Sequence, residues 1–345
     1  MASNTSTHSK PNTMRAWLYS SASGGLEHAI KLTDDAPQPP QPLPKDHVLV
    51  KVQSASLNPA DYKLPEMGLL ARAMISVPAS PGMDFAGTVE KTGDAVDTFR
   101  VGEKVLGRVF GARFGALGEY VSAQVDGVAS LPEGVSVEQG SCVGTAGLTA
   151  YQCIVSNVKE GDKIFINGGS GGTGSFGIQI AKAVGCTVTT SCSGKNIELC
   201  RSLGADEVID YTKENVSEVL KGQGNIFKLV VDNVGTPTDL HKAADHFLLP
   251  EGKFVQIAGD MSLGSLKTTF TRMLQPAFLG GGKHKWEFPM TKNKPEDLAQ
   301  IATWMKEGKV KVVIDEVFQY EDAPKAIEKL KTGRAKGKVV VRVSE

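Results

Sequence analysis

A chain of 345 residues is long enough for two or three domains of about 100–200 residues each, which excludes a peptide hormone or a disulfide-stapled mini-protein. Lys plus Arg (38) balances Asp plus Glu (38), removing the basic field of a nucleic-acid binder, and 41% hydrophobic with 22% charged residues is ordinary for a globular chain. The 38 glycines, about 11% against a usual ~7%, are not ordinary, so their placement matters.

Residues 1–13, rich in Ser, Thr and Asn, read as a disordered tail; they lack the apolar stretch of a signal peptide, and Arg15 is the only arginine near them. Short β-type runs at 14–19, 47–54, 87–91, 104–109 and 119–122 then predict a β-rich domain up to about residue 135. The proline-rich stretch 37–44 is an extended connector between strands. From about residue 145 the rhythm changes. Strands at 163–167, 186–191, 207–210, 229–232 and 253–258 alternate with helices at 175–184, 196–203, 213–221 and 238–248. That alternation predicts a doubly wound parallel sheet, because parallel neighbours need a helix to carry the chain back. A helix at 295–306, a strand at 312–314, a helix at 322–331 and a strand at 338–343 close the chain and are assigned to the first domain.

The five cysteines (142, 153, 186, 192 and 200) are odd in number and include no C-x-x-C pair, which suggests free, mostly buried thiols in a reducing, cytoplasmic setting. No run of 18 apolar residues offers a membrane span, and the histidines show no metal-ligand spacing.

Eight of the glycines lie between Gly161 and Gly185. They fall in a strand-to-helix passage that contains Gly169-Ser170-Gly171-Gly172-Thr173-Gly174, followed by Phe176, Ile180 and Val184 at helical spacing. In that context the pattern reads as a dinucleotide site: bare backbone N–H groups at a helix N-terminus approach a pyrophosphate that a side chain would hold away. An NAD-selective fold places an acid about 20 residues further on. Here 175–197 holds no acidic residue, and the second strand ends in Ser191-Cys192-Ser193-Gly194-Lys195. Ser193 and Lys195 suit a 2′-phosphate, so NADPH is the expected cofactor, with Tyr211 beside the adenosine.

Asn58-Pro59-Ala60-Asp61-Tyr62-Lys63, Pro81-Gly82-Met83-Asp84-Phe85-Ala86-Gly87, Thr145-Ala146-Gly147-Leu148-Thr149-Ala150, the glycine loop and Gly333-Arg334-Ala335-Lys336-Gly337-Lys338-Val339-Val340 together resemble the medium-chain dehydrogenase/reductase superfamily, in its zinc-free quinone oxidoreductase and enone (2-alkenal) reductase branch. The resemblance implies an α/β fold with a Rossmann doubly wound parallel sheet inserted into a β-rich, GroES-like catalytic domain. The implied divisions are 14–140 for the first part of the catalytic domain, 141–278 for the nucleotide-binding domain and 279–345 for the return. Zinc-dependent members carry a Cys ligand where this chain has Asn58 and a His-Glu pair where it has Met83-Asp84, so no metal is expected.

The resemblance further implies hydride transfer from NADPH to an enone, an enal or a quinone. Asn58, Tyr62 and Lys63 are the candidate catalytic group around the carbonyl, and Lys63 is also a cofactor contact. Further cofactor contacts are implied at Thr145, Asn233, Ile257, Leu279, Gly280 and Gly281; residues 67–75 and 110–117 are assigned to the substrate pocket. Lys336 and Lys338 are read as solvated lysines rather than phosphate ligands. The partner is a small-molecule substrate, and the resemblance is compatible with a homodimer formed by edge pairing of the Rossmann sheets. A trans-acting enoyl reductase on a carrier-bound polyketide chain shares these motifs, and a non-catalytic NADPH-binding scaffold or sensor is the alternative from another class.

Overall fold

The computed structural model describes residues 13–68, 73, 75–110, 113, 115–257 and 284–345. β1 (Thr13–Leu18) and β2 (Lys31–Pro37) pair as an antiparallel ribbon. The first large sheet is built from β3 (His47–Leu57), β4 (Asp84–Thr92), β5 (Lys104–Arg108), β6 (Tyr120–Gln124) and β7 (Val128–Ser130). β3 runs antiparallel to β4 along most of its length, while its first half also pairs with β6. Val48, Val50 and Val52 alternate inward from β3 onto Phe85, Val105 and Val121, and this apolar face is the core of the domain.

The second sheet holds β8 (Lys163–Asn167), β9 (Thr187–Cys192), β10 (Glu207–Asp210), β11 (Phe227–Asp232), β12 (Leu248–Gln256) and β13 (Lys285–Glu287), all parallel and ordered β10-β9-β8-β11-β12-β13. Ile164, Phe165 and Ile166 are consecutive and fully buried, as a strand covered by helices on both faces requires. The chain leaves β8 and reaches β9 on one side, then later takes β11 on the other. The crevice between the strand ends of β8 and β11 is therefore the topological switch point where such sheets bind ligands.

Two differences from the expected layout stand out. The return to the first domain was placed at residue 279, but β13 extends the parallel sheet beside β12, and Leu298, Ile301, Ala302 and Met305 of the helix Pro295–Lys306 lie in the same core as Ile164 and Ile178. Among the described residues the crossing back is made by β14 (Ile314–Gln319) and β15 (Lys338–Arg342), where β15 pairs parallel with β14 and antiparallel with the end of β3. The helix expected over 238–248 shrinks to Leu240–Ala243 plus a 3-10 turn, because Phe247 and Leu248 are drawn into the core against Phe227 and Phe254. All five cysteines are buried free thiols. No described helix is long and apolar enough to cross a membrane.

Candidate active site

The glycines after β8 divide by what a Cβ would meet. Gly168 turns the chain with φ +80°, a conformation that favours glycine. A Cβ on Gly169 would strike the Thr190 hydroxyl, and one on Gly174 would strike the Gly168 carbonyl oxygen, so these two glycines let loop, helix and strand pack closely. Gly171 is different: it caps the helix Gly172–Ala183, and the nearest protein atom to its Cβ would be 3.6 Å away. Packing does not explain its missing side chain, whereas access of a phosphate to the helix N-terminus does. The loop is held from behind by Gly168 N–H donating to Ser191 Oγ (3.1 Å), Ser191 Oγ–H donating to Asn167 Oδ1 (2.6 Å) and Asn196 Nδ2 donating to Ser170 Oγ (3.0 Å).

Each further cofactor candidate within the described part of this sheet stands just beyond a strand's C-terminal end: Ser193 and Lys195 after β9, Tyr211 after β10, Asn233 after β11 and Ile257 after β12. Lys195 is exposed on a 3-10 turn, and Tyr211 is 58% exposed. The linear sequence hides one acid here. Asp210, the last residue of β10, lies so close to Gly194 that a Cβ there would sit 2.5 Å from Asp210 Oδ2. Its Oδ1 accepts from the Thr212 hydroxyl (2.6 Å) and amide (3.0 Å), which hold its carboxyl below the usual range, while its Oδ2 faces Gly194. Asn233 donates through Nδ2 to the Asn167 carbonyl (3.1 Å), but its Oδ1 is buried without a partner, as is Asn196 Oδ1. Leu279, Gly280 and Gly281 lie outside the described residues, as do parts of 67–75 and 110–117.

Beneath the loop is a knot of buried polar side chains. Lys338, expected to be solvated, is only 3% exposed: its backbone begins β15 against the glycine loop, where Gly337 N–H donates to the Ser170 carbonyl (2.9 Å), and its Nζ runs inward. There Nζ donates to Asn58 Oδ1 (2.5 Å) and the Leu57 carbonyl (3.1 Å), with Asp84 Oδ2 at 3.7 Å. Asp84 starts β4 and accepts from Asn58 Nδ2 (2.8 Å) and Thr145 Oγ1 (2.6 Å). Asn58 N–H donates to Asp61 Oδ2 (2.6 Å), fastening the start of the helix Pro59–Glu66. Burial, followed by the charge of Asp84, pushes the Asp61 carboxyl up to about 7, and its Oδ1 has no partner.

The three expected catalytic residues thus have different surroundings. Asn58 is committed through both ends of its amide to Asp84 and Lys338. Tyr62 is half-buried with the Lys331 ammonium 5.5 Å from its ring centroid; Lys331 also binds Glu27 and Glu66. Burial, and then Glu66, raise the phenol above its ordinary value, so it holds its proton more tightly. Lys63 is half-buried in the last turn of the same helix. Thr145 sits in a π-helical turn (Val143–Gly147), its proton given to Asp84. Sequence reasoning gives Lys338, Asp84 and Arg108 no catalytic role; each stands at the end of a strand, where a charged residue is ordinary.

Residues 44–133 match the alcohol dehydrogenase GroES-like domain family, and residues 203–341 match the zinc-binding dehydrogenase family. The trans-enoyl reductase pgmF of Aspergillus terreus is 48% identical across 97% of this chain and 98% of its own length. The chain belongs to the medium-chain dehydrogenase/reductase superfamily, in its quinone and enone reductase branch. A 2-methylene-furan-3-one reductase of Solanum lycopersicum is 33% identical across 99% of this chain and 82% of its own. The solved quinone oxidoreductase of Coxiella burnetii superposes with a TM-score of 0.81 at 30% identity, covering 96% of this chain and 99% of that one. As a member of this superfamily the protein is an oxidoreductase.

Such reductases imply a nicotinamide cofactor, and the residues fit one. The open space at Gly171 lies at the helix N-terminus, and Asn233, whose Oδ1 is buried without a partner, follows β11 at the switch point. Zinc, implied by the name of one matching family, is not fitted. Asn58 and Asp84 face a lysine ammonium, and among the described residues no three His, Cys, Asp or Glu side chains group as metal ligands.

Proposed function

We propose that this protein is an NADPH-dependent, zinc-independent reductase of a carbon–carbon double bond conjugated to a carbonyl. The observation that carries the reading is the Lys338 knot. Where zinc-dependent members place metal ligands, this chain has an amide and a carboxylate neutralised by its own buried ammonium. Without a Lewis acid to stabilise an alkoxide, alcohol oxidation loses its main device, whereas hydride addition to an activated double bond needs only donors aimed at the carbonyl oxygen.

The nicotinamide, when bound, supplies the hydride. The chain supplies the rest. Gly171 and the helix N-terminus hold the pyrophosphate, and Ser193 and Lys195 hold the 2′-phosphate. Thr145, its hydroxyl proton committed to Asp84, presents lone pairs to an N–H donor such as a carboxamide. Lys338 and Asp84 fix Asn58 and Thr145 between the two domains. The relatives named for enoyl, furanone and quinone reduction share a conjugated acceptor, and the trans-enoyl reductase similarity favours an acyl chain presented on a carrier within this class.

The test is cofactor consumption across 2-alkenals, cyclic enones, quinones and carrier-bound enoyl thioesters. Turnover with NADPH that survives complete metal removal is expected. A strict requirement for one bound zinc per chain would overturn the reading.

A further inference from the structure

A hydride that adds to the β-carbon pushes negative charge onto the conjugated carbonyl oxygen, so the site needs a donor there. Asn58 places one amide N–H on Asp84 and its oxygen on Lys338, and the Tyr62 ring lies 5.5 Å from the Lys331 ammonium. Arg108 is differently placed. It ends β5 directly opposite Asp84 of β4, so both side chains leave the same face of the sheet. The π-turn carrying Thr145 lies against it: a Cβ on Gly144 would come within 2.9 Å of Arg108 Cβ and 2.7 Å of Asp84 Oδ1. Arg108 is 3% exposed, yet among the described residues its guanidinium makes one hydrogen bond, from Nη1 to the Thr291 carbonyl at 3.3 Å. Its Nε is fully buried with no partner. The Asp84 oxygens accept from Thr145 and Asn58, and the charges of Asp84 and Asp61 act on the guanidinium. The Phe110 ring, itself 47% exposed, flanks the guanidinium at 5.7 Å.

A guanidinium offers five N–H donors and cannot give up its proton at working pH, so one that is buried with a single long hydrogen bond is short of an acceptor. Lys338 shows the contrast, its Nζ holding two hydrogen bonds (2.5 and 3.1 Å) with the Asp84 carboxylate at 3.7 Å. We propose that Arg108 is the donor that receives the substrate's carbonyl oxygen, making it a catalytic residue of the double-bond reduction. The inference rests on the reductase reading above. In the step, a C–H bond of the reduced nicotinamide breaks and its electron pair forms the new C–H bond at the β-carbon. The π pair shifts so that the carbonyl oxygen becomes an enolate oxygen, and Arg108 N–H groups bind it without transferring a proton. The α-carbon then takes a proton from solvent, leaving the double bond reduced and the cofactor oxidised.

The experiment compares wild type, Arg108→Gln and Arg108→Lys as NADPH-loaded enzymes, with butyrate, a short carboxylate lacking the double bond, as a calorimetric probe of the oxyanion position. Wild type is expected to bind butyrate in competition with an enone. Arg108→Gln should lose butyrate binding and about 10²–10³-fold in kcat, with NADPH affinity and thermal stability held; Arg108→Lys should recover part of both losses, since charge returns without the planar fork. Unchanged butyrate affinity, a kcat close to wild type, or activity lost only in step with NADPH binding and folding would overturn the assignment and leave Arg108 satisfied by water. If Arg108→Gln does not fold, butyrate binding by wild type against Arg108→Lys decides the matter. A wild type that reduces no conjugated acceptor fails the reductase reading instead, a result separate from active wild type with an indifferent Arg108→Gln.

Discussion

The glycine loop offers an anion the backbone N–H groups of consecutive residues at one helix N-terminus, whereas the knot beneath it gathers side chains from segments as much as 280 residues apart in sequence. The loop is preformed by local geometry and stays open toward solvent. The knot is closed: Lys338 and Asp84 are almost fully buried and satisfy one another and Asn58. A site for an incoming charge is left under-coordinated, and a site that joins domains is not. Arg108 belongs with the first kind although it is buried like the second.

That contrast can be broken by substitution. Lys338→Met should be the most damaging change, because it strands Asp84 in the interior without its cation; a loss of about 3–5 kcal/mol is expected from chemical denaturation, and a loss below about 1 kcal/mol would mean that the ammonium is not what holds the knot. Gly174→Ala and Gly171→Ala sharpen the comparison within the loop. The first drives a methyl into the Gly168 carbonyl and should cost about 1–3 kcal/mol of stability. The second meets open space, so its unfolding midpoint should stay put while NADPH affinity falls by about tenfold or more. Equal behaviour of the two variants would remove the distinction between packing and access. Lys195→Ala should weaken NADPH by about 10–100-fold, the value of a charge-assisted phosphate contact, and leave NADH unchanged.

A further prediction concerns pH. Asp61 holds its proton up to about 7 in the folded chain against an ordinary 3.8, so between those values the native state binds a proton that the unfolded state has released. Its contribution therefore strengthens the fold as pH falls from 7 toward 4 and weakens it as pH rises. Unfolding midpoints of wild type and Asp61→Asn across that window should diverge in this sense; parallel curves would contradict it.

Where local patterning governs, the chain was readable. The runs at 163–167 and 207–210 and the helix at 295–306 coincide with the observed elements, because an unbroken apolar run and an amphipathic repeat announce themselves within a few residues. The helix Leu148–Ile154 and the π-turn before it were missed: Gly144 and Gly147 lower helix propensity, and the segment is buried on nearly every side, so no polar face marks the period. The glycine loop between strand and helix was legible for the same reason as the strands, being contiguous. The burial of Lys338, Asp84 and Arg108 was not, because a lysine near a chain end or an arginine ending a strand has no one-dimensional sign of burial. Even the acid-free window from 175 to 197 misled by omission, since the sheet sets Asp210 beside Gly194.

The proposed reaction is hydride transfer to a conjugated double bond without a metal. Its most direct test is a single turnover of metal-stripped protein with NADPH deuterated at the transferring position and an enone acceptor, the product read by NMR. Deuterium at the β-carbon of a saturated ketone is the predicted result; deuterium at the carbinol carbon of an allylic alcohol, or transfer only after zinc is restored, would contradict it.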